Sequence, residues 1–138
     1  MERGPVSLPI AEFGFPGPLR DRLVAAILDG TKTSTTTLLR EYADEPLPAP
    51  GDRAVVVDSA GEPVGTIETI EVRVLRLGDV DVAHCADEGE GDATVADWRR
   101  GHERHWHGAE HRAYLGDPAF TVDDDTMIVA ERFRLVGR

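Results

Sequence analysis

The sequence predicts an α+β domain built on a small mixed or antiparallel β-barrel with flanking helices. Three observations support this prediction. Segments with strand-like alternation outnumber segments with helical periodicity. The helical segments are separated by hairpins instead of alternating with single strands, which disfavours a doubly wound parallel sheet. An alternating segment, residues 126–136, closes the chain and supplies a long final strand.

The 138-residue chain is short enough to form one domain, which we expect to span residues 1–138. Residues 1–17 are rich in glycine and proline and are predicted to form an extended N-terminal arm. Apolar side chains then recur every three or four residues from Leu19 to Leu28, which is the spacing of one helical face. Gly30 follows at the position where glycine commonly ends a helix.

The next elements are predicted to be strands. A threonine-rich strand begins near Thr35, and residues 43–52 follow as a proline-rich loop. Residues 53–58 and 63–77 are rich in β-branched side chains, so the short turn between them predicts a hairpin. The second strand of the hairpin is long enough to bend, and Gly65 is the expected point. We expect these two strands and the final strand to be neighbours in the sheet.

Two further helices are predicted in the second half of the chain. Residues 79–89 form a short helix with Asp79 or Asp81 as its N-cap. A longer, single helix covers residues 94–115, where Thr94 begins a pattern that resembles a capping box.

The composition limits the classes of partner. The net charge of −11 disfavours nonspecific coating of nucleic acid, because that binding depends on cationic side chains that neutralise phosphates. It leaves room for a pocket that takes a nucleoside or a short single-stranded RNA. No apolar run approaches the ~20 residues that a membrane span needs, and the N-terminus lacks the apolar core of a signal peptide. The single cysteine, Cys85, excludes an internal disulfide and suits a cytoplasmic location, where we expect it to be a buried core residue.

Lys32 lies among hydroxyl side chains just after the first helix. In a structural interpretation its ammonium group is solvated and complements the dipole at the helix C-terminus. In a functional interpretation Lys32 is a base or an oxyanion partner, and Thr35 is a nucleophile or a hydrogen-bond donor. The functional interpretation requires burial, because desolvation is what lowers the pKa of a lysine far enough for it to act as a base.

A second candidate is the acidic turn between the two later helices, where four carboxylates alternate with glycines: Asp87, Glu88, Glu90 and Asp92. The turn is either exposed or holds a carboxylate against a ligand. In the second case the carboxylate would act as a general acid or base, orient a lysine, or bind a divalent metal. The order of the carboxylates does not match an EF-hand loop, so we reject that calcium site.

A third candidate is the set of aromatic side chains in the last helical segment. His107 and His111 share a helical face, as two metal ligands would, but the chain has neither a cysteine pair nor an H-E-x-x-H motif. We therefore expect no zinc site. The other members either pack on the barrel or stack on a base: Trp98, His102, His105 and Trp106.

Taken together, these segments resemble an ASCH domain, a branch of the PUA-like barrels. The resemblance runs from Phe13 to Val136, and the opening FGFPGPLRDRLV is similar to the longer bacterial members. G-x-K-x-x-T is a weak motif by itself, but at these distances from E-G-E-G-D and W-R-x-x-H it is specific. The matching residues are Leu23, Leu28, Gly30, Lys32, Thr35, Gly51, Asp52, Ala86, Glu88, Gly89, Glu90, Asp92, Trp98, Arg99, His102, Trp106 and the final VAERFRLV.

The resemblance implies a cleft between the barrel and its helices, with RNA or a nucleoside as the ligand. Some members are similar to amidohydrolases that remove the acyl group from N(4)-acetylcytidine with a lysine, a threonine three residues later and a glutamate. Others look like ribonucleases aided by a divalent metal. The lysine is matched by Lys32, the threonine by Thr35, and the glutamate by Glu88 or Glu90. We take Glu88 as catalytic, and many long members carry a second lysine where this chain has Thr31. Substrate contacts are expected from Gly30, Thr33, Glu90, Trp98, Arg99, His102 and Trp106.

The leading hypothesis is a hydrolase of acylated cytidine that uses no cofactor. In it Thr35 attacks the acyl carbonyl, Lys32 takes its proton, and a glutamate orients Lys32 and protonates the departing amine. The alternatives are a metal-dependent ribonuclease and a non-catalytic module that binds a modified base or short RNA through a stacked tryptophan. We expect Lys32, Thr35 and Glu88 to converge on one cleft, which requires irregular backbone at residues 31–34.

Overall fold

The computed structural model describes residues 8–138, so the first part of the predicted N-terminal arm, residues 1–7, lies outside the described residues. The remainder of the arm is mostly irregular. It also supplies a two-residue strand, β1 (Ile10–Ala11), which pairs in parallel with β3 (Arg53–Val57). The arm is therefore part of the sheet, which the sequence analysis did not predict.

Five strands form one mixed sheet in the order β1-β3-β4-β5-β2. β2 spans Ser34–Leu38, β4 spans Pro63–Arg76 and β5 spans Met127–Gly137. β4 pairs antiparallel with both β3 and β5, which confirms the predicted order of the hairpin and the final strand. β2 is the other edge and pairs antiparallel with β5. The α+β class with a mixed, barrel-like sheet is confirmed.

The long strand β4 is irregular along its length. Its register shifts once against β3 and twice against β5. Inserted residues of this kind increase the local twist of a strand and bend it. Gly65, the expected point of the bend, lies beside the shift against β3, and a Cβ there would come within 3.2 Å of the Gly137 carbonyl oxygen.

The end of the first helix and the start of the second lie at the capping residues that the sequence predicted. α1 spans Pro18–Asp29 and ends at Gly30, whose φ of 88° is left-handed. α2 spans Val82–Asp87, and its N-cap is Asp81, whose carboxylate accepts a hydrogen bond from the His84 N–H. No helix within residues 8–138 is both long enough and apolar enough to cross a membrane.

The prediction of one helix over residues 94–115 is wrong, because the chain forms two helices there. α3 (Val95–Trp106) starts after Thr94, whose hydroxyl accepts a hydrogen bond from the first turn. α4 (Ala109–Leu115) follows after a break at Gly108, which has an extended backbone. Glycine stabilises a helix poorly, and the helical periodicity on both sides hid the break.

The sheet is covered on both faces. On one face, Phe133 and Ile67 pack with side chains of α1 and the arm. On the other, Ile128 and Ala130 pack with buried side chains from β2, α2 and α3: Leu38, Cys85, Trp98 and Trp106. β2 lies at the sheet edge, where successive side chains point alternately toward the two sides.

Candidate active site

Lys32 is carried into the protein by the short connection between α1 and β2. Gly30 ends α1, and the Lys32 N–H then donates a hydrogen bond to the Ala26 carbonyl at 3.0 Å. Residues 31–33 are consequently outside regular structure, which is the irregular backbone that convergence requires. The turn leaves Lys32 only 2% exposed. The solvated position of the structural interpretation is therefore wrong.

The acidic turn after α2 packs directly on this connection. The Thr33 N–H donates to the Asp87 carbonyl at 2.7 Å. Gly89 has a φ of +71°, and a Cβ at this position would lie 2.4 Å from the Thr31 carbonyl oxygen. Only glycine allows two backbones to approach this closely with this conformation. The glycine in E-G-E-G-D therefore brings the two motifs together.

The Lys32 amine is held by two backbone carbonyls. It donates to Ser34 at 2.7 Å and to Glu88 at 3.4 Å, and it lies 3.9 Å from Glu88 Oε1. Burial lowers the pKa of Lys32, and the neighbouring carboxylates oppose this shift. A neutral amine has two hydrogens and one lone pair, so the two carbonyls can accept both hydrogens while the lone pair stays available.

Glu88 is the centre of the network and is 1% exposed. Its Oε2 accepts a hydrogen bond from the Thr36 hydroxyl at 2.6 Å and lies 3.1 Å from His84 Nε2. Its Oε1 lies 3.1 Å from His102 Nε2. Burial alone would raise the pKa of Glu88, but the hydrogen bonds from the two histidines and the nearby positive charges hold it well below its usual value. The carboxylate is thus a fixed anion.

The two ring nitrogens of His102 face different hydrogen-bond acceptors. Nδ1 lies 3.0 Å from the Trp98 carbonyl oxygen, which can only accept, so Nδ1 carries a hydrogen. Nε2 faces the Glu88 carboxylate, which holds a second hydrogen there. Burial lowers the pKa of His102, but Glu88 reverses the shift and raises it above the usual value. The ring also stacks on Trp98, with centroids 4.1 Å apart.

Glu90 has the opposite electrostatics. Its side chain is 21% exposed, and burial and the adjacent Glu88 carboxylate raise its pKa, although Lys32 opposes the shift. Two carboxyl groups two residues apart are therefore pushed in opposite directions. Such pairs mark a division of labour between an anion and a proton donor. This distinction separates Glu88 from Glu90, between which the sequence alone could not choose.

These groups open on a cavity of about 1270 Å³. The cavity brings together most of the side chains proposed for the site: Lys32, Thr35, Glu88, Glu90, His102 and Trp106. Four predicted contact residues do not line it: Gly30, Thr33, Trp98 and Arg99. Trp98 has no exposed surface, and Arg99 pairs with Glu103 at 2.7 Å and Asp124 at 2.9 Å. Trp98 and Arg99 therefore pack near the site and do not face the cavity.

Thr35 and Thr36 point to opposite sides of the edge strand β2. Thr35 is the cross-strand partner of Glu131, which also lines the cavity and accepts a hydrogen bond from Thr69 at 2.6 Å. Thr36 faces the other way, and its hydroxyl lies between Glu88 and His84 Nε2, at 2.6 and 2.7 Å.

The sequence analysis missed Thr36 and His84. Two signals could have identified them. Thr36 lies two residues before the buried Leu38 and therefore on the same face of β2. His84 lies four residues before Glu88, which is the spacing of neighbours on one helical face.

The comparisons with known proteins establish the family and the fold. A family model for the ASCH domain matches residues 10–137. This chain belongs to the ASCH domain family. The crystal structure of an ASCH domain from Lactobacillus crispatus JV V101 is 26% identical, with a TM-score of 0.81 over 96% of this chain and 81% of that chain. A search of curated proteins found no match.

A second solved structure supports the fold alone. It is a protein from Enterococcus faecalis V583 with 22% identity and a TM-score of 0.79, covering 99% of this chain and 80% of that chain. The similarities confirm the PUA-like fold that the motifs predicted. The ASCH family is associated with RNA binding.

Three side chains of this ASCH domain could in principle hold a metal. One ligand atom from each of Glu88, Glu90 and His102 lies within 4.8 Å of the others. A histidine that binds a metal must offer a ring nitrogen without a hydrogen, whereas the Nε2 hydrogen of His102 points toward Glu88. The Lys32 amine, 3.9 Å from Glu88, would also repel a cation when protonated. The residues therefore fit a divalent metal poorly.

Proposed function

We propose that this ASCH domain hydrolyses the acyl amide of N(4)-acylated cytidine with Lys32, Thr35, Glu88 and Glu90. The observation that carries the proposal is the position of the buried Lys32 amine. Its hydrogen bond to the Ser34 carbonyl holds it against the peptide unit that joins Ser34 to Thr35. Lys32 and Thr35 line the same cavity, so the proposal assigns a base and a nucleophilic hydroxyl to one ligand space.

In the first half of the reaction the lone pair of neutral Lys32 takes the hydroxyl proton of Thr35. The Thr35 oxygen bonds to the acyl carbon and forms a tetrahedral intermediate. The bond from carbon to N4 then breaks while Glu90 donates its proton to N4, and cytidine leaves. The lowered pKa of Lys32 and the raised pKa of Glu90 favour the two protonation states that this step requires.

The second half of the reaction restores the enzyme. The Glu90 carboxylate removes a proton from water, and the resulting hydroxide adds to the Thr35 ester. Lys32 returns its proton to the Thr35 oxygen, and the carboxylic acid leaves. Glu88 takes no proton in either half, because its hydrogen bonds hold it as an anion that positions Lys32 and His102.

The test is hydrolysis of N(4)-acetylcytidine, followed by the release of cytidine and acetate. Lys32→Ala and Thr35→Ala should each lower kcat by about 10²–10⁴, the usual contribution of a positioned acid–base group. The double variant should lose little more than either single variant, since members of one catalytic unit fail together. Thr33→Ala, which removes a hydroxyl outside the cavity, is the matched control and should retain activity. Small, additive losses would contradict the proposal.

One alternative is a metal-dependent ribonuclease, which would require His102 to release its Nε2 hydrogen so that Glu88, Glu90 and His102 hold a divalent metal. Incubation of a labelled single-stranded RNA with the protein and Mg²⁺, with and without chelator, separates the two activities. The amidohydrolase retains its turnover in chelator, whereas the ribonuclease loses it. Tight binding of either ligand without turnover identifies the third alternative, a binding module.

A further inference from the structure

Four aromatic side chains that line the cavity pack against one another, and we name this cluster the aromatic wall: Phe15, His105, His111 and Tyr114. The Phe15 ring lies 5.9 Å from each of the other three ring centroids. The rings of His105 and His111 are 4.9 Å apart. Phe15 comes from the N-terminal arm and the others from the consecutive helices α3 and α4, so the fold assembles the wall from two distant parts of the chain.

The wall begins close to the charged network. His105 lies three residues after His102 on α3, and residues with this spacing are neighbours on a helix surface. His102 lies 3.1 Å from Glu88. The wall and Lys32 line the same cavity, so a ligand that rests on the wall occupies the space onto which Lys32 opens.

The wall contains a buried polar side chain without a partner. His111 is 6% exposed, and neither of its ring nitrogens has a hydrogen-bond partner among the described residues. The Glu41 carboxylate lies 3.5 Å from Nε2 and makes no hydrogen bond with it. A buried polar group without a partner is costly, and a ligand atom that bonds to it offsets that cost.

The tryptophans expected to stack on a base are not available for it. Trp98 is fully buried, and Trp106 borders the cavity but is only 2% exposed, which leaves too little ring surface for a base to stack on. Tyr114, by contrast, is 63% exposed. Glu12, Glu41 and Glu45 line the cavity together with Tyr114, and repulsion from these carboxylates disfavours a phosphate group near the wall.

We infer that the aromatic wall is a stacking subsite for the uncharged nucleobase of the ligand, and that His111 hydrogen-bonds to the polar edge of that base. The identity of the base as cytosine rests on the proposed function, whereas the stacking subsite rests on the wall itself. With the base on the wall, its N4 substituent extends past His102 toward Lys32 and Thr35.

The test is calorimetric binding of cytidine, which has no acyl group to hydrolyse. Loss of base stacking typically costs ~1–3 kcal/mol, so Tyr114→Ala should raise Kd about 5-fold to 100-fold. Tyr114→Phe keeps the ring and should bind as the unmodified protein does. His111→Phe keeps the stack but removes both nitrogens, and should raise Kd by about 3-fold to 10-fold. Val82→Ala alters an equally exposed side chain outside the cavity and is the control.

The outcomes distinguish the wall from the proposed reaction. Weaker cytidine binding by Tyr114→Ala in a protein that does not hydrolyse N(4)-acetylcytidine would support the wall and reject the reaction. Unchanged binding by Tyr114→Ala, or no cytidine binding by the unmodified protein, would overturn the wall even if the amide is hydrolysed. Cytidine 5′-phosphate should bind more weakly than cytidine, and tighter binding would overturn the preference for an uncharged ligand.

Discussion

Replacement of Glu88 by glutamine tests the centre of the network. Glutamine has nearly the same volume, so the packing around the side chain is kept. The change removes the negative charge that lies 3.1 Å from His102 Nε2 and 3.9 Å from the Lys32 amine. It also replaces one carboxylate oxygen by an NH₂ group that faces hydrogen-bond donors. Loss of one partner from a buried ion pair typically costs about 3–5 kcal/mol. For a chain of this length we expect the melting temperature to fall by roughly 10–15 °C.

The loss should depend on pH with a defined sign. The pKa of Glu88 is depressed in the folded protein, so its contribution is present above the unfolded value near 4.5 and is lost as pH falls through the folded value. The pKa of His102 is raised, so its contribution is present below about 6.5 and is lost as pH rises through the folded value. The free energy of unfolding of the unmodified protein should therefore exceed that of Glu88→Gln by the largest amount between about pH 5 and 6.5.

The measurement is urea unfolding at several pH values, followed by the fluorescence of the two buried tryptophans. Glu62→Gln removes an exposed carboxylate and should change the free energy of unfolding by less than about 0.5 kcal/mol at every pH. A difference between Glu88→Gln and the unmodified protein below about 1 kcal/mol near pH 6 would refute the reasoning. A difference that stays constant from pH 3 to pH 9 would refute it equally.

Three further predictions concern single positions. Gly89→Ala should destabilise the protein by about 3 kcal/mol or more in urea, because its Cβ would meet the Thr31 carbonyl at 2.4 Å. Gly91→Ala has open space and should cost only about 1 kcal/mol for its φ of +82°; equal losses would contradict the close approach. Burial raises the pKa of the Cys85 thiol to about 12, so a thiol reagent at pH 8 should modify the native protein only as it unfolds, and immediate labelling would refute this. Glu90→Gln should lower kcat and abolish the fall in activity at alkaline pH, since the donor form is lost as pH rises through its raised pKa; an unchanged pH profile would exclude Glu90 as the acid.

Much of the fold could be predicted because its signals are local. The alternation in β3, β4 and β5 and the glycine after α1 each depend on neighbouring residues, and the structure confirms them. The parallel pairing of Ile10 with Val55 could not be predicted, because a two-residue strand has no periodicity to detect. The break at Gly108 was missed because helical spacing continues on both sides of it.

The candidate site was only partly predictable. The motifs identified Lys32 and Glu88, and the glycine that lets their segments meet was visible in the sequence. The aromatic wall was not, because Phe15 and Tyr114 are far apart in the chain and meet only through the tertiary fold. Electrostatics were partly hidden: the lowered pKa of Glu88 depends on His102, which only the tertiary fold brings near it, and the raised pKa of Glu90 depends on burial and on the adjacent Glu88 carboxylate.

The hydroxyl-rich run after the first helix has a physical explanation in the edge strand that it forms. Thr36 turns toward α2, where its hydroxyl donates to Glu88 and helps to keep that carboxylate ionised. Thr35 points to the opposite side of the strand, and both threonines line the cavity. The same strand also supplies the Ser34 carbonyl that holds the Lys32 amine. A helix would place residues 34, 35 and 36 about 100° apart around its axis, whereas a strand sends 35 and 36 to opposite faces. The threonine-rich sequence thus favours the backbone geometry that lets one short segment hold the Lys32 amine, donate a hydrogen bond to Glu88 and place a second hydroxyl on the other side of the strand.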